Sequence, residues 1–209
     1  KLTPVTYQLP YLAHACMEVL NCTVQVTPSG STCLCEVWAP TQFQTGVYNT
    51  ALNLTRAKYP NLTVSVKVHT TYLGGALGRK IELDFVSQAV QAAVAISKLA
   101  AGPRPLKLMW SREEDFTHDQ YRPMALVHAR AALSGTGNDA AIAGWEYRAI
   151  CPSISTQRGN VLNSDPTKGV VGDSAGSEGA RELPYAMNQR LTEYVTHPAQ
   201  IPVGYWRSV

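Results

Sequence analysis

Residues 64–99 constrain the fold more than any other part of this 209-residue chain. Residues 64–70 alternate apolar and polar side chains, which predicts a strand with one buried face. Residues 73–80, Leu-Gly-Gly-Ala-Leu-Gly-Arg-Lys, interrupt that alternation. From Ile81 onward the apolar spacing changes to three and four, which predicts a helix that ends before Gly102. The sequence therefore predicts a strand, a glycine turn and a helix in direct succession.

The glycine turn, residues 74–78, has two interpretations. A glycine turn at the start of a helix presents unpaired N–H groups, so it can bind a phosphate, a carboxylate or the polar edge of a cofactor. Arg79 and Lys80 add two positive charges beside it. The other interpretation is a tight turn without a ligand, because the spacing G-G-x-x-G matches neither a P-loop nor a dinucleotide fingerprint.

Two pairs of alternating segments are predicted to form β-hairpins, because each pair is separated by turn residues. The first pair is residues 21–26 and 32–38, and the second is residues 124–133 and 140–150. With a second amphipathic helix after residue 41, the chain is predicted to be α+β, with mixed sheets, β-hairpins and two main helices.

Three connecting segments carry further expectations. Thr41 is predicted to cap the helix that follows it, which places Gln42 at a strand-to-helix junction. The Gln42 amide there either contributes to a site or faces solvent. Residues 111–115 are predicted to be a charged, solvated loop. Residues 151–180 lack periodicity and are predicted to be one long functional loop.

Composition excludes several classes of protein. The net charge is only +3 and no basic run occurs, so nucleic acid is not an expected partner. None of the five cysteines forms a C-x-x-C pair, so reduced, packed cysteines are expected, with a Cys22–Cys35 bridge as the alternative in an exported protein. His14 and Glu18 lie four residues apart, but no further ligand completes a metal set, which favours a structural role.

One competing enzyme motif is present. Residues 172–176, Gly-Asp-Ser-Ala-Gly, match the G-x-S-x-G nucleophile elbow of α/β-hydrolases, with Ser174 as the nucleophile. No Asp follows Ser174, so only glutamates and His197 remain as partners for a catalytic triad. A serine hydrolase is therefore a minor alternative.

Seven segments give the chain its strongest resemblance to a known family. They are YLAHACME (residues 11–18), NCT (21–23), WAPTQ (38–42), YLGGALGR (72–79), WSREED (110–115), YRP (121–123) and PVGYWRSV (202–209). In this order they resemble the molybdopterin-binding large subunit of xanthine dehydrogenase and aldehyde oxidase type enzymes. Within that family they are most similar to the isoquinoline 1-oxidoreductase and bacterial aldehyde dehydrogenase branch.

The resemblance implies that residues 1–209 are part of a molybdopterin-binding domain of aldehyde oxidase type. It assigns cofactor contacts to Gln42, Gly74, Gly75, Ala76, Leu77, Gly78 and Arg79, and a substrate-side position to Arg207. It assigns no catalytic residue to this chain, because the family's general-base glutamate lies in a later segment. Ala76 and Leu77 depart from the family's glycine and phenylalanine. We expect Ala76 to keep a negative φ while Gly74, Gly75 and Gly78 take the unusual dihedrals.

The implied cofactor is molybdopterin with molybdenum, in the cytosine dinucleotide form. The implied reaction is oxidation of an aldehyde or N-heterocycle with oxygen derived from water. Because the five cysteines include no set of four that suits an iron–sulfur cluster, such clusters are expected on a separate small subunit. The other expected partners are the rest of the large subunit and a cytochrome c subunit.

We expect this chain alone to be inactive. We expect a bacterial enzyme that is periplasmic or membrane-associated, with the cytoplasm as the alternative. The alternative function is a non-catalytic binding or assembly domain that keeps the same fold.

Overall fold

The computed structural model describes residues 4–160, 162, 164–165 and 170–206. In chain order the elements are β1 (Val5–Leu9), β2 (Asn21–Ser29), β3 (Thr32–Ala39), α1 (Gln44–Lys58), β4 (Thr63–Thr70), α2 (Asp84–Ser97), β5 (Leu106–Met109), α3 (Arg112–Thr117), β6 (Ala125–Ser134), β7 (Ala141–Cys151), α4 (Ile154–Gln157), β8 (Ser164–Asp165), β9 (Val170–Val171), α5 (Ser174–Arg181) and β10 (Gln189–Thr196). Short 3-10 helices lie at Arg79–Ile81 and Gly137–Asp139. No helix in the described ranges is long and apolar enough to cross a membrane.

The chain divides into two compact units. The first, here called the central unit, is His14–Asp119. The second, here called the flanking unit, combines Lys1–Ala13 with Gln120–Val209.

The central unit contains a four-stranded mixed sheet in the order β4-β3-β2-β5. Strands β2 and β3 form the predicted hairpin, with Thr23 opposite Trp38, and β5 pairs antiparallel with β2. Strand β4 lies parallel to β3, a connection that needs a crossover, and α1 provides it. The predicted hairpin and the two main helices are therefore confirmed.

The core of the central unit lies between this sheet and helices α1 and α2. Alternate residues of β2 and β3 are buried, as period-two strands require, and they meet the buried faces of the two helices. Phe85 is the largest apolar side chain that is fully buried there. Cys22, Cys33 and Cys35 belong to the same core, and all five cysteines of the chain are free and buried, as expected.

The structure corrects three expectations in the central unit. Helix α2 begins at Asp84 and not at Ile81, because the 3-10 helix at residues 79–81 separates it from the glycine turn. Thr41 does not cap α1, since the N-cap position belongs to Phe43. Residues 111–115 are not a solvated loop, because they start helix α3, where Ser111 caps the helix and Asp115 is buried.

The flanking unit contains a second four-stranded sheet in the order β1-β6-β7-β10. Strands β6 and β7 form the second predicted hairpin, with a register shift between Ala132 and Leu133, and β10 runs parallel to β7. Residues 151–180 are not one long loop, since they include α4 and most of α5. Asp173 stabilises both helices: its carboxylate caps α5 by accepting the Ala175 N–H, and it also accepts the hydroxyls of Ser153 and Ser155 at the start of α4, about 20 residues earlier.

Candidate functional site

The glycine turn between β4 and the 3-10 helix has three residues with positive φ. Gly75 and Gly78 have φ values of +95° and +110°, in the region that favours glycine, and Leu77 has a φ of +57°. The φ of Ala76 is not positive, so that expectation is confirmed. The expectation for Gly74 is wrong, because its φ is not in the left-handed region and Leu77 takes that conformation instead.

Gly74 is required for a different reason, the close approach of another segment. A Cβ atom added at Gly74 would lie 2.7 Å from the Cβ of Glu18, closer than real side chains approach one another. The two backbones meet directly, since the Glu18 N–H donates to the Gly74 carbonyl at 3.0 Å. A side chain at position 74 would therefore push these two segments apart.

Exposure alternates along the turn. Gly75 and Leu77 are exposed, whereas Ala76 and Gly78 are buried, with Ala76 only 2% exposed. Within the part of the chain that the structure describes, the backbone N–H groups of Gly75 and Leu77 have no hydrogen-bond partner. The exposed residues Gly75 and Leu77 thus leave their backbone donors without a protein partner, while the side chain of Ala76 is buried on the inner side of the turn.

Gln42 is the polar side chain that joins this turn. Its Oε1 accepts a hydrogen bond from the Gly78 N–H at 3.1 Å. The backbone N–H of Gln42 donates to the Lys80 carbonyl at 3.1 Å. Among the described residues, the Gln42 Nε2 group has no acceptor, and the residue is exposed. The amide is therefore held by its oxygen while its NH₂ group stays available to a ligand.

Arg79 and Lys80 do not present free positive charge beside the turn, which corrects the sequence expectation. Both side chains are 0% exposed. The Arg79 guanidinium makes a bidentate pair with Asp84 at 3.0 and 2.6 Å and lies 5.5 Å from the centre of the Trp110 ring. The Lys80 ammonium lies 2.5 Å from Glu18. Both cations therefore support the turn from inside the central unit.

Asp119 is the anion that completes the buried cluster around Arg79. Its carboxylate accepts hydrogen bonds from the His14 N–H at 2.6 Å and pairs with His14 Nδ1 at 2.9 Å. Arg79 Nε lies 3.1 Å from Asp119 Oδ1, but it is poorly aligned for a hydrogen bond. Burial alone would raise the pKa of Asp119, but the contacts with His14 and the charge of Arg79 outweigh it and lower the pKa.

A second buried carboxylate lies close to this cluster. Arg112 donates to Asp115 at 2.7 Å and also to the carbonyl of Cys16, and the Cys16 thiol donates to the Ala76 carbonyl at 3.0 Å. Burial, followed by the negative charge of Asp119, raises the pKa of Asp115. Segment 14–18 therefore joins the inner side of the turn to helix α3.

The sequence reasoning did not identify this buried network. The predicted structural roles of His14 and Glu18 agree with their buried pairs, but the partners Asp119 and Lys80 are more than 60 residues away in sequence. Two adjacent cations directly after a glycine turn are the one local signal that could have indicated buried pairing. In the described ranges, no group of three or more His, Cys, Asp or Glu side chains is arranged to hold a metal ion.

Two other predicted sites have different outcomes. Arg207 lies outside the described residues, so its substrate-side position stays a prediction. Ser174 is the exposed first residue of α5, after β9 and Gly172, but its φ is not positive as a strained nucleophile elbow requires. Asp173 serves as the helix cap, and in the described part of the chain no histidine is hydrogen-bonded to Ser174. Among the described residues, the geometry around Ser174 therefore lacks the strained turn and the bound histidine that a nucleophile elbow requires.

Comparison with known proteins gives an independent result. The family model described as the molybdopterin cofactor-binding domain matches residues 3–152, whereas no curated protein matches the sequence. The fold is similar to quinoline 2-oxidoreductase from Pseudomonas putida 86, with a TM-score of 0.63 and 18% identity over 100% of this chain and 24% of that one. It is also similar to aldehyde oxidoreductase from Desulfovibrio gigas, with a TM-score of 0.61 and 12% identity over 99% and 20% of the two chains.

A third similar structure is CO dehydrogenase from Oligotropha carboxidovorans, with a TM-score of 0.56 and 14% identity over 98% of this chain and 23% of that one. At these identities the likeness concerns the fold, and the predicted α+β class is confirmed. The chain spans less than a quarter of the length of each of these three structures. The assignment to the isoquinoline branch stays a prediction.

Proposed function

Because this chain belongs to the molybdopterin cofactor-binding domain family, we propose that residues 74–78 and Gln42 form one wall of a molybdenum cofactor site. One observation carries the proposal. The Gly78 N–H holds the Gln42 side chain by its oxygen, so the amide belongs to the same turn in which the exposed Gly75 and Leu77 have unpartnered N–H groups. These donors suit the oxygen and nitrogen acceptors of a pterin and of a molybdenum ligand.

The residues of the turn have distinct roles in this proposal. Gly75 and Leu77 offer their N–H groups, and the partly exposed Leu77 side chain gives the wall an apolar edge. Ala76 does not obstruct a ligand, because its methyl group lies on the inner side. Arg79 acts through the backbone: its N–H donates to the Ala76 carbonyl, and its guanidinium remains buried. The molybdenum cofactor, when bound, supplies the two-electron oxidation chemistry.

The proposed activity is that of one part of a large-subunit molybdenum hydroxylase acting on an aldehyde or N-heterocycle. The fold likeness to an aldehyde oxidoreductase and to a quinoline oxidoreductase supports both substrate classes. We also propose the cytosine dinucleotide form of the cofactor, a small iron–sulfur subunit, a cytochrome c subunit and a periplasmic or membrane-associated location. The short coverage of the similar structures supports further polypeptide around this chain.

The test uses the native assembly that contains this chain. It distinguishes the acceptor function of Gln42 Oε1 from the donor function of Nε2. In Gln42→Glu an oxygen still accepts from the Gly78 N–H, but no Nε2 donor remains. In Gln42→Ala both functions are lost. The control is Gln44→Ala, since Gln44 is exposed at the start of α1 and no side-chain hydrogen bond of it is found among the described residues.

Because a single aligned donor is worth about 10²-fold in turnover, we expect Gln42→Glu to lower kcat by about that factor with molybdenum content near that of the parent. We expect Gln42→Ala to lower both kcat and molybdenum content, and the control to match the parent. Parent-like kcat in both Gln42 variants would refute the proposed contact. A native assembly without molybdenum would instead favour the non-catalytic assembly domain.

A further inference from the structure

Lys80 connects the two ends of the glycine turn, although its side chain is fully buried. Its carbonyl accepts hydrogen bonds from the Gln42 N–H at 3.1 Å and from the Thr41 hydroxyl at 3.2 Å. Gln42 in turn holds the Gly78 N–H. The backbone of Lys80 therefore anchors the Gly78 end of the turn.

The side chain of Lys80 anchors the opposite end through Glu18. The ammonium lies 2.5 Å from Glu18 Oε2, and the same oxygen accepts the Gly74 N–H at 2.9 Å. The other carboxylate oxygen accepts from Asn21 Nδ2 at 3.2 Å. Since the Glu18 N–H also donates to the Gly74 carbonyl, Glu18 satisfies both backbone groups of Gly74. Lys80 thus holds the glycine turn at both residue 74 and residue 78.

We propose that Lys80 and Glu18 are positioning residues, an ion pair that holds Gly74 and therefore Gly75 in the conformation that presents the outer N–H groups to a ligand. The inference rests on the proposed function, because it assigns a purpose to the same turn. Neither side chain is placed against the ligand: Lys80 acts through Glu18, and Glu18 acts through Gly74.

Charge is essential to this arrangement for two reasons. A carboxylate accepts a backbone N–H more strongly than a neutral amide does, so the ionised Glu18 restrains Gly74 more tightly. A buried ammonium also requires an opposite charge, so Lys80 keeps Glu18 in place. Although burial acts to raise it, hydrogen bonds from Lys80, Gly74 and Asn21 lower the pKa of Glu18, which therefore remains ionised at neutral pH.

If the ion pair had only a structural role, removing it would destabilise the whole central unit, and exchange would accelerate equally in the turn and in α2. Local amide exchange separates the two roles, because it reports opening of the turn and of α2 independently. The measurement is hydrogen–deuterium exchange by mass spectrometry on the native assembly, comparing peptides that cover residues 72–78 with peptides from α2.

The key variant is the double substitution Glu18→Gln with Lys80→Met. It removes both charges together, so no unpaired ammonium is left in the core to prevent folding. Glu18→Gln alone is the companion variant. The control is Tyr59→Phe, which removes the 2.7 Å hydrogen bond between Tyr59 and Ser97, the last residue of α2, and makes no change at the turn.

In the double variant we expect the slowly exchanging amides of the 72–78 peptides, those of Gly74 and Gly78, to exchange about 10-fold faster, the equivalent of losing one charge-assisted hydrogen bond, while α2 changes much less. We expect Tyr59→Phe to leave exchange in the 72–78 peptides at the parent rate, with any acceleration confined to the end of α2. Exchange of the turn equal to the parent in the double variant would overturn the proposal, and so would equal acceleration in the turn and in α2.

A second readout links the pair to the ligand. Molybdenum per chain and the rate of cofactor loss on dilution are measured in the same preparations. We expect the double variant to lose cofactor faster than Tyr59→Phe does, and equal rates would overturn the positioning role. A parent assembly without molybdenum refutes the proposed function instead, and the exchange data then still decide whether the pair holds the turn.

Discussion

Asp119→Asn perturbs the buried cluster beneath the glycine turn with the smallest possible change of shape. The carboxylate of Asp119 accepts two hydrogen bonds from His14 and lies beside the Arg79 guanidinium, with 2% of the residue exposed. An asparagine keeps one acceptor oxygen, but its NH₂ group must then face one of these donors. Arg79 would retain only Asp84 as its charged partner.

The expected cost follows from the burial of these groups. Removing one partner of a buried ion pair typically destabilises a protein by about 3–5 kcal/mol, and the retained oxygen places this variant at the lower end, about 3 kcal/mol. The matched control is Glu36→Gln in the same unit. Glu36 lies 3.4 Å from His69 in a solvent-exposed pair, and such pairs contribute about 0–1 kcal/mol.

The assay is amide exchange of α2 and α3 in the native assembly, because it measures the opening free energy of the central unit alone. A loss of about 3 kcal/mol corresponds to exchange faster by about 10²-fold, at roughly 1.4 kcal/mol for each factor of ten. Acceleration of less than about 5-fold, or an equal effect in Glu36→Gln, would show that the cluster is not the electrostatic centre that its geometry indicates.

Ala76→Gly is expected to leave molybdenum content unchanged, because the methyl group lies on the inner side of the turn, and to destabilise the central unit by about 1–2 kcal/mol through the lost methyl and the added backbone freedom. A large gain in bound metal would contradict the inward placement. Acid should weaken the buried pairs. The pKa of Asp119 lies below its ordinary 3.8 and that of Glu18 below 4.5, so both carboxylates stabilise the fold above those values and lose their contribution as the pH falls through their folded-state pKa. The raised pKa of Asp115 acts in the opposite direction. We therefore expect the difference in exchange between the parent and Asp119→Asn to shrink below pH 3.8, and an undiminished difference would contradict the assignment.

The hairpins and the two long helices could be predicted because each has a strong local pattern. Residues 21–26 and 32–38 alternate around a turn, and the apolar spacing of α2 continues for several turns, so the burial of one face was evident from the sequence. The starts and ends of the elements were less accurate. The 3-10 helix at residues 79–81 has no separate sequence signal, so α2 was predicted to start too early.

The short helices and the buried charges could not be predicted, because they depend on contacts that are distant in sequence. Asp173 stabilises α4 and α5 together by accepting hydrogen bonds from two serines about 20 residues earlier, whereas composition alone indicated a loop. A charged run such as residues 111–115 is usually solvated. Only the approach of Arg112 to segment 14–18 makes Asp115 a buried partner.

The candidate site was likewise predictable only in the parts that have a local sequence signal. The glycines identified the turn, and the resemblance identified Gln42, but neither indicated how a glycine-rich segment becomes rigid. Leu77 shows the problem most clearly, because a non-glycine residue with a φ of +57° costs about 1–2 kcal/mol. Such a conformation persists only where the surrounding structure compensates for it.

The buried residues on the inner side of the turn provide that compensation. The carbonyl of Ala76 accepts from both the Cys16 thiol and the Arg79 N–H, and Glu18 holds Gly74 at the start of the turn. Since the charged groups below are paired with one another, they restrain the turn without carrying free charge to its outer surface. Among the described residues, the exposed part of the turn then offers the backbone N–H and C=O groups of Gly75 and Leu77, the amide of Gln42 and the apolar side chain of Leu77. In the proposed cofactor site, recognition therefore depends on directional hydrogen bonds to a planar polar group, because the two described cations next to the turn, Arg79 and Lys80, are both buried and paired.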